Sequence, residues 1–170
     1  MANNLSIAIS ANTSWYIYNF RKNTILALIQ QGYKVTAIAP KDEYSVKLSE
    51  LGCEFIHINI DQGGTNPIKD TKTFLDFYRI YKTKNIDVVL NFTPKNNIYS
   101  TLAAYFNNTK AINNIAGLGI LFINESITSK IARYLYRISQ SKASMLFFQN
   151  EDDRQLFLDK KITTSTPTDR

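Results

Sequence analysis

The stretch LSIAISANTSWYIYNFRKN, residues 5–23, joins a strand pattern directly to a helix pattern. Its first part, residues 5–11, is a short apolar run of the kind that forms a buried strand. Its second part has the apolar spacing of a helix, with Gly32 placed to end that helix. A strand followed directly by a helix is the opening unit of an α/β protein, so the stretch predicts that class.

The same alternation continues along the chain. Further apolar runs lie at residues 34–40, 54–60, 87–92, 110–116 and 143–149. Helical patterns lie at residues 42–51, 70–84, 97–107, 124–141 and 150–160. Together they predict a doubly wound, mostly parallel, six-stranded Rossmann-like sheet with helices on both faces and the strand order 3-2-1-4-5-6. In the first helix, the pattern predicts one core-facing stripe, made of Ile17, Phe20, Thr24, Ala27 and Leu28.

Length and composition predict one domain followed by a tail of low hydrophobicity. The chain has 170 residues, of which 44% are hydrophobic, so residues 1–160 can bury a core of their own. Residues 161–170 are rich in threonine and predict a disordered tail. The single cysteine, Cys53, predicts a buried thiol in a reducing cytoplasmic compartment. No leader pattern and no apolar run of about 20 residues occurs.

The net charge of +6 permits binding to phosphate-bearing substrates or to an anionic membrane surface. Because the basic residues form no block and no nucleic-acid-binding motif accompanies them, we expect no nucleic acid as partner.

The first turn has no glycine anywhere in residues 11–23, which argues against a dinucleotide-binding fingerprint there. It holds Asn12, Ser14, Trp15 and Tyr16 instead, and polar groups beside aromatic faces suit a sugar. In the alternative interpretation, Asn12 or Ser14 caps the helix and the rings belong to the core. Lipid head groups could meet the same rings, with Arg21 and Lys22 alongside.

Two later turns have unusual composition. TPKNNIYS, residues 93–100, places Lys95 and two asparagines where a helix start can hold a phosphate. The alternative is that Asn96 or Asn97 simply caps that helix. NNIAGLG, residues 113–119, has glycines where a backbone turns sharply or approaches a ligand.

The sequence names no catalytic residue. Acidic residues after Asn150 suit the first turn of a helix better than a metal site, so we expect no metal. The one histidine, His57, lies in a predicted strand and is expected to be buried, which leaves no member for a histidine-based triad.

Six motifs in order resemble the N-terminal domain of bacterial family 4 glycosyltransferases, over about residues 5–158. They are ANTSWYIYNFRKN, IAPKDEYSVKLSELGCEFIHI, GGTNPIKD, TPKNNIYS, INNIAGLG and FFQNEDDRQLF. Such enzymes have the two-domain GT-B fold and build capsule, O-antigen or other surface polysaccharides. The resemblance implies retaining, metal-independent transfer from a UDP-sugar, without a further cofactor. The implied acceptor is a polyprenyl-pyrophosphate-linked saccharide at the inner face of the cytoplasmic membrane.

By this resemblance three groups of residues would bind substrate. Asn12, Ser14, Trp15 and Tyr16 would line the acceptor cleft, Lys95, Asn97 and Tyr99 would lie beneath the reacting sugars, and Asn114, Gly117 and Gly119 would border the opening. One departure is that Asn91, Phe92 and Thr93 stand where several relatives carry a histidine that contacts the donor sugar.

The resemblance covers only the acceptor-binding half of such an enzyme. The nucleotide-sugar domain would follow residue 160 and is expected to be absent, so we expect this chain alone to be inactive and to need a donor-binding domain or subunit. The alternative is a non-catalytic membrane adaptor that recruits a separate donor-binding subunit. A third possibility, an NAD-dependent epimerase or reductase, is disfavoured by the glycine-free first turn.

Overall fold

The computed structural model describes residues 5–62, 66–116, 126–163 and 165–170. Its strands are β1 (Ser6–Ser10), β2 (Lys34–Ala39), β3 (Glu54–His57), β4 (Val88–Asn91), β5 (Lys110–Ile115), β6 (Met145–Phe148) and β7 (Thr168–Asp169). Its helices are α1 (Ser14–Gln30), α2 (Tyr44–Glu50), α3 (Pro67–Lys84), a π-helical segment (Asn96–Ser100), α4 (Thr101–Phe106), α5 (Ile127–Gln140) and α6 (Glu151–Asp159).

The strands form one parallel sheet in the order β3-β2-β1-β4-β5-β6-β7. The α/β class and the order of the first six strands are therefore confirmed. Ile9 on the central strand β1 is paired with Ala37 on one side and Leu90 on the other, so the middle of the sheet is apolar and fully hydrogen-bonded.

The seventh strand lies in the segment that composition predicts to be disordered. Thr168 of β7 is paired with Leu146 of β6, and its hydroxyl accepts a hydrogen bond from Arg154 at 3.0 Å. Thr166 donates to the carbonyl of Gln140 at 2.8 Å, and Ile162 is buried. The described residues of the tail are held by strand pairing and hydrogen bonds, which an average of hydrophobicity does not register.

Helix α1 confirms part of the predicted inward stripe and contradicts the rest. Ile17 is fully buried and Leu28 packs against the core, whereas Ala27 is exposed and Phe20 is 56% exposed; the fully buried Ile25 was not predicted. Arg21 lies midway between the two buried isoleucines, at spacings of four residues, and so shares their inward face. The helix ends as predicted at Gly32, which has φ +85° and lies beside a 3.1 Å hydrogen bond from the Tyr33 N–H to the Leu28 carbonyl.

Two apolar layers cover the sheet. Ala8 and Val89 face Phe77 and Tyr81 of α3 on one side, while Ile9 and its neighbours face α1 and α2 on the other. Because successive strand residues point to opposite faces, this alternation requires helices on both sides, as predicted. Within the residues described here, no helix is both long enough and apolar enough to cross a membrane.

Candidate functional site

The loops at the carboxyl ends of the strands are tied to one another. Gln62, after β3, donates through Nε2 to the carbonyl of Asn12, after β1, at 2.8 Å. Asp42, after β2, accepts the backbone N–H of Trp15 at 3.0 Å. In parallel α/β sheets, ligands bind at this carboxyl edge, where the strand order changes direction. Here that point lies between β1 and β4.

The first turn is capped by a residue that neither interpretation of the sequence named. Thr13 is the N-cap of α1, and its hydroxyl accepts the Tyr16 N–H at 3.0 Å. Ser14 is fully buried, with its hydroxyl donating to the Pro40 carbonyl at 2.8 Å and lying 3.0 Å from the Ser45 hydroxyl. Ser14 therefore joins α1 to β2 and α2, and the expectation that it lines an open cleft is wrong.

An aromatic cluster lies beside this turn. Trp15 is 46% exposed and meets Phe20 edge to face at 5.5 Å between ring centroids. Tyr16 is half-buried between Phe20, at 5.1 Å, and Phe92, at 6.4 Å. The sequence pattern assigned Phe20 to the core, yet it extends the exposed aromatic surface that begins at Trp15. Asn12, next to this surface, is partly exposed.

The segment after β4 enters its helix in π-helical form. Residues 96–100 are π-helical, and the Asn97 N–H donates to the Thr93 carbonyl at 2.8 Å. Asn96 and Asn97 both have buried side chains inside the helix, so neither is its cap. A single π-helical turn inside a helix is frequent at functional sites, because it displaces the side chains that follow it.

A buried network of polar side chains holds this segment on the sheet. Asn91 accepts from Ser10 at 2.5 Å and from Ser100 at 2.7 Å, and it donates to Asn113 at 2.8 Å. Asn113 also donates to Gln140 at 2.5 Å, while Asn96 donates to Ser10 at 3.1 Å. This role was not predicted, although asparagines at the ends of two apolar strands were its signal. Satisfied buried networks of this kind set position rather than bind ligand.

Lys95 forms an ion pair with a residue that the sequence did not connect to it. Its Nζ lies 2.5 Å from Oδ1 of Asp70, and the two side chains are only 17% and 12% exposed. Tyr99 donates to the other oxygen of Asp70 at 2.9 Å. Burial, together with the hydrogen bond and charge of Asp70, raises the pKa of Tyr99. Asp70 already neutralises Lys95, so the predicted phosphate contact has no unpaired charge in this structure.

Asn97 and Asn114, which the resemblance assigns to two different parts of the substrate site, are joined by a hydrogen bond. The Asn97 amide donates to the Asn114 carbonyl at 3.0 Å, which joins the π-helical segment to β5. The Asn114 Oδ1 atom is buried and has no hydrogen-bond partner among the described residues. Gly117 and Gly119 lie outside the described residues, so their place at the opening stays a prediction.

The sequence predictions for His57 and Asn150 have different outcomes. His57 is exposed at the end of β3, where its Nδ1 accepts the Lys41 N–H at 3.0 Å, so the expectation of burial is wrong. Asn150 caps α6 as predicted, accepting the Asp153 N–H at 2.7 Å. The described ranges contain no group of three histidine, cysteine or carboxylate side chains placed to hold a metal ion.

Helix α5 exposes an apolar face. Ile127, Ile131, Tyr134 and Ile138 are exposed and share one side of the helix by their spacing. The helix carries three basic residues, Lys130, Arg133 and Arg137, and no acidic one. Between α5 and α3 lies a cavity of about 460 Å³. Its lining includes Phe74, Leu102, Phe106, Ile131 and Leu135.

The amino-acid sequence is similar to one family model and to a curated protein. The family model described as "Glycosyl transferase 4-like" matches residues 6–150. A curated protein of Campylobacter jejuni, N,N'-diacetylbacillosaminyl-diphospho-undecaprenol alpha-1,3-N-acetylgalactosaminyltransferase, is 29% identical over 144 residues. That alignment covers 82% of this chain and 38% of the relative, so the chain spans well under half the length of the relative.

Solved structures share the fold at low sequence identity. A glycosyltransferase from Rickettsia africae has a TM-score of 0.68 and 19% identity, covering 92% of this chain and 40% of that one. A UDP-GlcNAc 2-epimerase from Methanocaldococcus jannaschii has a TM-score of 0.59 and 17% identity, covering 94% and 43%. At these identities the likeness establishes the fold alone.

Proposed function

The chain belongs to the glycosyl transferase 4-like family, and we propose that it is the acceptor-binding part of a glycosyltransferase. The proposed reaction moves a sugar from a UDP-linked donor to a saccharide carried on polyprenyl diphosphate. The name of the Campylobacter relative describes transfer of N-acetylgalactosamine to a diphospho-undecaprenol-linked sugar, which supports this substrate class.

The observation that carries the acceptor assignment is the exposed aromatic surface at the carboxyl edge. Trp15 is exposed beside the partly exposed Asn12, and Tyr16 continues the surface inward. A sugar ring can stack its C–H face on an aromatic side chain while its hydroxyls bond to neighbouring polar groups. The acceptor saccharide is therefore proposed to lie over Trp15, near the Asn97 and Asn114 junction.

The donor is proposed to be held by a second domain or subunit. The matched relatives extend far beyond the part that this chain covers, at 38% of the curated protein. Transfer is proposed to proceed with retention of configuration, without metal or further cofactor, as the family resemblance implies. Chelation of divalent ions during a transfer assay tests metal independence directly, since a loss of activity would contradict it.

Contact with the cytoplasmic membrane surface is proposed to use α5. Its exposed apolar face, combined with three basic residues and no acidic one, has the composition of a helix that lies on an anionic bilayer. The sequence suggested lipid contact at the rings of Trp15 and Tyr16 with Arg21 and Lys22 alongside, but Arg21 faces inward on α1. A lipid-linked acceptor would be presented from the same bilayer.

The test uses Trp15, the only tryptophan, as a fluorescent reporter. A short-chain polyprenyl-diphosphate-linked disaccharide added to the 170-residue chain is expected to change the emission saturably. A UDP-sugar alone is expected to change it little. A response to the UDP-sugar and none to the disaccharide would show that this is not the acceptor-binding part.

A second assay separates the transferase from the membrane adaptor. The chain is mixed with a purified donor-binding domain, the disaccharide acceptor and a UDP-sugar. A transferase part is expected to restore sugar transfer, whereas an adaptor would change only membrane association of its partner.

A further inference from the structure

Arg21 is a cation on the inward face of α1, between the buried Ile17 and Ile25. Its guanidinium carbon lies 4.1 Å from the ring centroid of Phe92, the residue that follows β4. Its Nη2 donates to the Tyr16 hydroxyl at 3.3 Å. Two aromatic rings and one hydroxyl therefore hold the guanidinium beside the carboxyl end of a central strand.

The charge of Arg21 has no counter-ion in the described part of the chain. No described carboxylate lies within ion-pair distance of it, and α1 itself contains no acidic residue. The Nε atom is buried without a hydrogen-bond partner among the described residues. A half-buried cation left in this way lowers stability unless something else supplies the negative charge. Lys95, the other cation near the end of β4, is neutralised by Asp70 and offers a contrast.

A second unpaired polar atom faces the same layer. Asn91 is paired with Asn113, and both side chains belong to the buried network on the α4 and α5 side. Since side chains alternate along strands, the next residues, Phe92 and Asn114, point to the α1 side. Phe92 indeed packs with the α1 layer. The buried Oδ1 of Asn114 can accept a hydrogen bond from a ligand hydroxyl there.

We propose that Arg21 binds a phosphate group of the substrate, with Phe92 as the surface on which the guanidinium rests and Asn114 as acceptor for an adjacent hydroxyl. The guanidinium fork matches phosphate oxygens geometrically, and charge-assisted bonds of this type are strong. The inference rests on the proposed function and adds the residue that recognises phosphate. The polyprenyl-linked acceptor and the nucleotide-linked donor both carry such a group.

The test measures binding of three phosphate compounds to the 170-residue chain by calorimetry at low ionic strength. The compounds are inorganic pyrophosphate, UDP and farnesyl diphosphate. Replacing the cation in Arg21→Met is expected to weaken pyrophosphate binding about tenfold or more. UDP binding tighter than pyrophosphate, and lost in the variant, would assign the phosphate to the donor. The same behaviour of farnesyl diphosphate would assign it to the acceptor.

Lys22→Met is the matched control, because Lys22 is the next residue of α1 and also lies over a ring, 5.2 Å from the Tyr18 centroid. It is expected to change binding by less than about twofold. Equal losses in the two variants, or no binding of any of the three compounds to the unaltered chain, would overturn the proposal.

A conservative variant covers the case in which Arg21→Met fails to fold. Arg21→Lys keeps the charge but loses the fork, and it is expected to weaken pyrophosphate binding about threefold or more; unchanged affinity would contradict the role of Arg21. Because pyrophosphate carries no sugar, failure of pyrophosphate binding leaves the saccharide response of Trp15 intact. Failure of the proposed function, in turn, leaves pyrophosphate binding measurable.

Discussion

Asp70 and Lys95 join the start of α3 to the start of the helix after β4, with 2.5 Å between Oδ1 and Nζ. Tyr99 completes the cluster through the second carboxylate oxygen of Asp70. The cluster therefore fixes the start of the helix after β4 against α3.

Asp70→Asn is expected to lower the free energy of unfolding by about 1–3 kcal/mol, because it leaves the nearly buried Lys95 charge unpaired. Urea unfolding measures the change. Glu54→Gln is the control, since it removes the exposed ion pair between Glu54 and Lys84 and should cost less than about 1 kcal/mol. Equal costs for the two variants would show that burial does not strengthen the Asp70 pair.

Tyr81, Tyr99 and Tyr136 are expected to destabilise the fold at high pH. Burial raises the pKa of each hydroxyl, so the folded chain keeps protons that the unfolded chain loses. Their stabilisation is complete below the unfolded pKa, about 10, and is lost as the pH rises through the folded value. Ultraviolet titration should show three tyrosines ionising only on unfolding. Full ionisation of all ten before unfolding would contradict this.

Cys53 is expected to be unreactive in the folded chain. Burial raises the pKa of its thiol to about 11, and the thiol donates to the Leu48 carbonyl at 3.0 Å. The reactive thiolate is therefore both scarce and inaccessible at pH 8. A thiol reagent should label the chain only as denaturant unfolds it. Rapid labelling without denaturant would contradict the buried position of Cys53.

Ser14→Ala and Trp15→Ala should separate structure from binding at the first turn. Ser14→Ala removes two buried contacts and is expected to cost about 1–2 kcal/mol of stability while leaving saccharide affinity unchanged. Trp15→Ala is expected to weaken saccharide binding about tenfold, measured by calorimetry, at little cost in stability. Unchanged saccharide affinity in Trp15→Ala, with a loss of affinity in Ser14→Ala, would contradict the proposed stacking of the saccharide on Trp15.

The double variant Ile131→Ser and Tyr134→Ser is expected to reduce binding to vesicles of phosphatidylglycerol and phosphatidylcholine at least about fivefold, since it removes apolar area from the α5 face. Sedimentation with vesicles measures the bound fraction. Val46→Ser is the control, because Val46 is 63% exposed on α2, away from α5. Equal losses for both changes would argue against a specific contact by α5.

Local pattern was enough for most of the fold and for part of the site. Hydrophobic periodicity and composition predicted six strands and their order. Short-range chemistry predicted the cap at Asn150 and the helix end at Gly32. Trp15 was predicted at the carboxyl edge of the sheet, because in a parallel sheet the loops that follow the strands lie at that edge. The inward face of α1 was predicted only in part, because Arg21 can share a buried stripe only where the rings of Tyr16 and Phe92 cover it.

Local sequence pattern was sufficient to predict a parallel α/β sheet of six strands and the set of polar and aromatic residues at its carboxyl edge, because strand and helix periods are local properties. The pairing of those residues was set by the tertiary structure. It joined Lys95 to Asp70, 25 residues away, buried Ser14 against β2 and α2, and left Arg21 without a counter-ion among the described residues. Charge neutralisation and burial depend on neighbours in space, and the packing of the helices on the sheet selects those neighbours.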